Sequence, residues 1–216
     1  MTDLEICNRA LAHLGDFKIT DLTQPTLDAD SRAEVVNRFL PIAKREVLST
    51  MDWQFAITDD ELTEGTAPTV TYKYAHNYPA NCWRVVAVHT ATETNPGIEG
   101  WTKLETGFQL RLSTVRTNHE FVAIEYVTDA DFSVWPSTAQ AACARLLASY
   151  AAVSITGNDR KAEYHLSLYR KLDLPTAQHE HATEYASNEN FNSSEDITRS
   201  DLFKQHVSGL TSLETQ

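Results

Sequence analysis

The 216-residue sequence predicts an α+β fold: an antiparallel helical bundle with an inserted antiparallel β-sheet region and an extended C-terminal arm. Three observations predict it. Residues 137–156 (STAQAACARLLASYAAVSIT) are rich in alanine, the strongest helix former, and Ala142, Leu146, Ser149, Tyr150 and Val153 recur at steps that share a helix face. Between Thr69 and Val127 the apolar residues alternate instead, which is the period of a half-buried strand. From Ser187 the chain turns polar (SNENFNSSEDITRS), with too little apolar content to fold by itself. The chain thus divides into a helical bundle from residues 1–68 and 129–186, a β insertion at 69–128 and an arm at 187–216.

Each element has a local reason. Thr2 and Glu5 form a capping box, and Leu4, Cys7, Leu11 and Leu14 follow at helical steps until Gly15, so the first helix covers 2–14. Residues 16–28 lack periodicity and include Pro25, which makes them a connecting loop. A second helix runs from near Ala29 to about Thr50, with Val36, Phe39, Leu40, Ala43 and Val47 as its apolar stripe; Pro41 inside it is expected to kink it. Trp53 and Phe55 then lock the helical layer by burying aromatic area.

Four to six antiparallel strands are expected in the insertion, among them Val70–Tyr74, Cys82–Val88, Phe108–Leu112 and Phe121–Val127. Thr106-Gly107 reads as a tight hairpin turn between WTKLE and FQLRL, and Asn95-Pro96-Gly97 as a looser one. Residues 129–136 return the chain to the central helix, which Pro136 and a capping Ser137 start and Gly157-Asn158 stops. Its many alanines let neighbours approach on several faces, which suits a bundle centre or a subunit contact. A last helix runs from Asn158 to about Ser187 through Ala162, Leu166, Tyr169, Leu172 and Ala177, with a break or kink at Pro175. Within the arm, Leu202, Phe203, Val207 and Leu210 make a short amphipathic pattern that fits a partner's groove.

Composition excludes several functions. The formal net charge of -12 opposes wrapping of nucleic acid, which needs an excess of lysine and arginine. No run reaches the roughly 18 apolar residues of a membrane span, and no signal peptide opens the chain. Cys7, Cys82 and Cys143 are odd in number, distant and in apolar contexts, as buried free thiols of a reducing compartment are. His179-Glu180-His181 is no metal pair, because residues two apart on a helix point apart. His13, His76, His89, His119, His165 and His206 are scattered and read as surface or structural residues. A hydrolase would need two placed carboxylates or a nucleophile with a base; Glu34, Glu46, Asp59, Asp60, Glu61, Glu125, Asp129 and Asp131 supply acids, but thirty acidic residues make chance pairs common. Trp53, Trp83, Trp101 and Trp135 read as core rather than as stacking platforms. No catalytic motif occurs, so the residues assign no catalytic, cofactor-binding or metal site.

The order of segments, more than any one of them, resembles the head-to-tail adaptor of short-tailed bacteriophages, the tail tubular protein A type. The resemblance is carried by Glu5-Ile6-Cys7-Asn8-Arg9-Ala10-Leu11 with Leu14-Gly15, by 33–49 leading to Trp53-Gln54-Phe55-Ala56, and by Tyr72-Lys73-Tyr74 through Tyr78-Pro79-Ala80 to Arg84-Val85. It continues through Ile124-Glu125-Tyr126, Ala141 to Ala152, Ile155-Thr156-Gly157 and Tyr169; Pro175 departs from it, since an uninterrupted last helix is the family pattern. It implies a non-enzymatic virion protein at the head-tail junction, assembled in the host cytoplasm as a twelvefold ring. That ring lies beneath the portal protein, continues the DNA channel without reading sequence, and docks the tail nozzle protein; no cofactor and no membrane are involved. In that setting Leu202, Phe203, Val207 and Leu210 are expected at the portal and Thr106-Gly107 at the nozzle. The alternative function is a tail-associated cell-wall or polysaccharide hydrolase.

Overall fold

The computed structural model describes residues 1–22, 30–63, 71–91 and 101–184. It is α+β, as the sequence predicts. Helix α1 (Asp3–Leu14) starts in the expected capping box: the Glu5 N–H donates to the Thr2 side chain while the Glu5 carboxylate accepts from the Thr2 backbone. Gly15, left-handed at φ 74°, closes it. Helix α2 (Asp30–Ser49) carries Pro41 inside it, and Val36, Leu40, Ala43, Val47 and Leu48 are its buried stripe.

Helix α3 (Ser137–Thr156) occupies the centre, with α1, α2 and α4 (Asp159–Leu168) packed around it. Eleven of its residues are buried, including Ala139, Ala142, Ala144, Ala148, Ala151 and Ala152. Of the two roles open to its small residues, these alanines take the first: bulk absent from α3 lets three helices of the same chain close on it. Two local expectations change. Pro136, not Ser137, holds the N-cap position and no side chain caps there; instead Gln140 Nε2 donates to the carbonyls of Phe132 (2.8 Å) and Trp135 (3.0 Å). At the other end, Gly157 takes the left-handed φ of 64° and donates to Val153.

Helix α4 does not break at Pro175. A π-helical turn, Tyr169–Asp173, precedes the proline, with the Leu174 N–H donating to the Tyr169 carbonyl five residues back, and the helix resumes over 174–184. The widened turn sits where the proline ring would crowd the carbonyl four residues before it.

Seven strands, all paired antiparallel, lie among the described residues: β1 (Ile57–Leu62), β2 (Tyr74–Asn77), β3 (Arg84–Ala91), β4 (Thr102–Lys103), β5 (Phe108–Leu110), β6 (Thr114–Thr117) and β7 (Phe121–Val127). They form two sheets, ordered β1-β7-β3-β4 and β2-β6-β5. Strand β1 precedes the predicted insertion; its exposed middle shows no alternation, and pairing with β7 makes it a strand. The Thr106-Gly107 hairpin is corrected. Strand β4 pairs with β3 and β5 with β6, so Gly107, at φ 86°, turns the chain from one sheet to the other. The hairpin lies one strand later, where the Arg111 N–H donates to the Thr114 carbonyl at 2.9 Å and Leu112 stands fully exposed at the tip. The turn expected at Asn95-Pro96-Gly97 lies outside the described residues.

Between the sheets Leu62, Val88, Val115, Val122, Ile124 and Tyr126 form a second core. A bulge in β3 leaves Val86 without a cross-strand partner, so that Val85 packs on this core while Val86 joins Ile57, Trp83 and Val127 against the bundle core.

Candidate functional site

The aromatic lock predicted for Trp53 and Phe55 joins the two layers. Trp53 is fully buried and its indole donates to the Val47 carbonyl at 2.8 Å. Phe55 lies 5.5 Å from Trp53 and 5.3 Å from Trp135, whose ring is 4.7 Å from Phe132. His181 completes the cluster, 5.3 Å from Trp53 and accepting from the Gln54 N–H. His179, two residues earlier, is exposed while His181 is buried, so the two point apart as a helix dictates. Among the described residues, no three His, Cys, Asp or Glu side chains gather to hold a metal ion.

The outward face of α2 offers a groove lined by Pro41, Ile42, Arg45, Glu46, Ser49 and Trp83. Spacing along α2 sets Ile42, Arg45 and Ser49 on the side away from the buried stripe. Arg45 lies over the Trp83 ring at 5.6 Å, and Ile42 is half exposed. Beside them, the Tyr150 hydroxyl donates to Glu46; burial and this carboxylate push Tyr150 up to about 12. The groove thus sets apolar Pro41, Ile42 and Trp83 beside polar Arg45, Glu46 and Ser49.

Of the acids that a hydrolase would draw on, Glu34, Glu46, Glu125, Asp129 and Asp131 have local engagements. Glu34 pairs with Arg38, Asp129 with Lys44 (2.6 Å) and Glu125 with His89 (2.8 Å), while Asp131 caps the Ser133 N–H, which holds its carboxyl below the usual range. Asp59 stands opposite Glu125 across β1 and β7, with Asp60 and Glu61 following along β1. His76 is buried, with Nε2 3.1 Å from the His119 carbonyl. Cys7, Cys82 and Cys143 are free thiols; burial pushes Cys7 up to about 12 and raises the other two, which leaves all three as thiols rather than nucleophilic thiolates. No helix among the described residues is long and apolar enough to cross a membrane. Leu202, Phe203, Val207 and Leu210 lie outside the described residues.

Sequence reading overlooked one cluster, centred on Arg145. Its Nε donates to Asp173 Oδ2 at 3.0 Å, and its Nη1 to His13 Nδ1 (3.2 Å) and His165 Nδ1 (3.4 Å). Thus α1, α3, α4 and the π turn meet on one guanidinium. Lys161 adds a tie from α4 to the end of α1, donating to the Leu14 carbonyl at 3.0 Å. Burial and the Arg145 charge push His13 down to about 4 and lower His165 as well. The available signal was Arg145 itself, the one charged residue in the 20-residue central helix.

No family model matches the chain, and no curated protein matches it. A solved structure titled "Neck of empty GTA particle computed with C6 symmetry" is similar to it at 15% identity and a TM-score of 0.30, over 67% of this chain and 75% of that one.

Proposed function

We propose that this chain is a structural head-to-tail connector of a phage virion and not an enzyme. The observation that carries the reading is the order of elements: capped helix, proline-containing helix, Trp53-Gln54-Phe55-Ala56, antiparallel sheets, alanine-rich helix and last helix, folded as one helical layer with the β region inserted in it. That order is the one the adaptor resemblance requires. On this reading twelve copies close a head-to-tail ring beneath the portal, at the head-tail junction, and dock the nozzle below. DNA passes through the lumen without sequence-specific contacts, a passage that suits a chain of net charge -12. Because the small-residue faces of α3 are filled by α1, α2 and α4, subunit contacts fall on outward surfaces instead. The segment holding Leu202, Phe203, Val207 and Leu210 is assigned to the portal, and the crossing at Thr106-Gly107 to the nozzle side.

Native mass, measured on the protein alone and with its cognate portal, tests the reading. A closed ring should form when the portal is present. A persistent monomer or simple dimer beside the portal would sink it.

A further inference from the structure

We propose that the Arg145 cluster is an acid-released joint: protonation of His13 and His165 parts α4 and the end of α1 from α3. The guanidinium is a permanent cation with donors only, so each Nδ1 can accept from it only while unprotonated. A proton on either Nδ1 removes that hydrogen bond and sets a second cation 3.2 to 3.4 Å from Nη1.

The surroundings offset the added charge only in part, through Asp173 and through the His165 hydrogen bond to the His13 backbone, both of which favour the charged ring. The charged groups that bear on the two imidazoles are Arg9 from α1, Arg145 from α3, Lys161 from α4 and Asp173 from the π turn: three cations against one carboxylate. Asp173 is already bonded to Arg145 Nε. His165 is buried, so water is poorly placed to solvate an imidazolium there. The depressed values of both histidines have the same sense, because burial and Arg145 each disfavour the charged ring.

The sign follows from linkage. In the parted state the rings regain their ordinary value near 6.5, whereas His13 in the closed joint sits at about 4. The closed joint is therefore fully stable above about pH 6.5 and loses stability as pH falls toward about 4. His181, bonded to Gln54 further along the chain, lies outside the cluster, so exchange over 174–184 is read separately from that over 159–168.

Amide hydrogen exchange on the full chain, corrected for intrinsic rates, tests the joint at about pH 7 and about pH 4.5. Wild-type protection over 159–168 should fall by about tenfold or more relative to the buried middle of α3. In His13→Gln with His165→Gln, each amide oxygen still accepts from Arg145 and no charge can form, so protection should hold across the same range. Parallel loss in wild type and the double variant overturns the proposal, as does unchanged wild-type protection. If the buried His165→Gln prevents folding, the half-exposed His13→Gln alone must move the midpoint to lower pH; an unmoved midpoint overturns it equally.

Discussion

The Gln54 N–H donates to His181 Nε2 at 3.2 Å, a bond that spans 127 positions and ties the entrance of the β region to the last helical turns described. The imidazole also packs at a tilt against Trp53 and meets Phe55 edge-on at 6.1 Å. One side chain therefore serves as hydrogen-bond acceptor and as part of the aromatic packing.

His181→Ala should destabilise the fold by about 1–3 kcal/mol, since it removes an aromatic contact and leaves a half-buried N–H without its acceptor. Urea unfolding checks this. His181→Gln, which can still accept, should recover part of the loss.

Trp53→Ala should cost about 3–5 kcal/mol, because a fully buried indole leaves a cavity and takes with it the bond to Val47. Phe55→Ala should cost less, as Phe55 is only partly buried. Thermal melting is the measurement. Unchanged melting combined with loss of ring assembly would move both residues from the core to an interface.

The hydroxyl of Tyr150 gives a prediction in alkali. Its folded value is raised to about 12, above the ordinary tyrosine value near 10, so the folded state keeps a proton that the unfolded chain releases. The stabilisation is complete below about pH 10 and is lost as pH rises toward about 12. Tyr150→Phe should flatten this part of the pH profile and remove one high-pH step from the tyrosinate absorbance titration. It should also weaken packing at neutral pH by about 1 kcal/mol, since Glu46 loses its donor.

Removing residues 187–216 should leave the body folded, because a polar stretch with so few large apolar residues has little to add to a core. The same truncation should weaken attachment to portal rings if Leu202, Phe203, Val207 and Leu210 make that contact. Co-sedimentation at low and high salt separates the cases: residues 185–216 hold five acids against Arg199 and Lys204, so binding through them should also fall with salt. Equal binding by both forms refutes the assignment.

How far the sequence could be read depended on how local each determinant is. The limits of α3 match the sequence reading, Ser137–Thr156, because alanine propensity and the left-handed Gly157 act within a few residues. The capping box at Thr2 and the alternation from Phe121 to Val127 were legible for the same reason. Strand β1 was not, since Thr58, Asp59, Asp60 and Glu61 become a strand only through β7, over sixty positions away. At Thr106-Gly107 the local chemistry did announce a turn, but which strand pairs with which is settled by distant partners. The Arg145 cluster draws on residues 13, 145, 165 and 173, a spacing that forms no motif; the fold alone brings them together. Pro175 warned of irregularity in the last helix, and the helix answered with a wider turn rather than an end.

Among the described residues strand β1 is the outer strand of its sheet, and its three consecutive acids have a consequence for a protein proposed to work in many copies. An open strand edge is a template on which another chain's backbone can extend the sheet. Here any incoming strand would meet Asp59, Asp60 and Glu61, with Glu125 directly across from the first of them, and a second copy would bring the same carboxylates against its own kind. Sheet-to-sheet growth between copies is therefore penalised by charge. Free subunits at high concentration are steered away from fibrous stacking, and association is left to side-chain surfaces whose geometry can close.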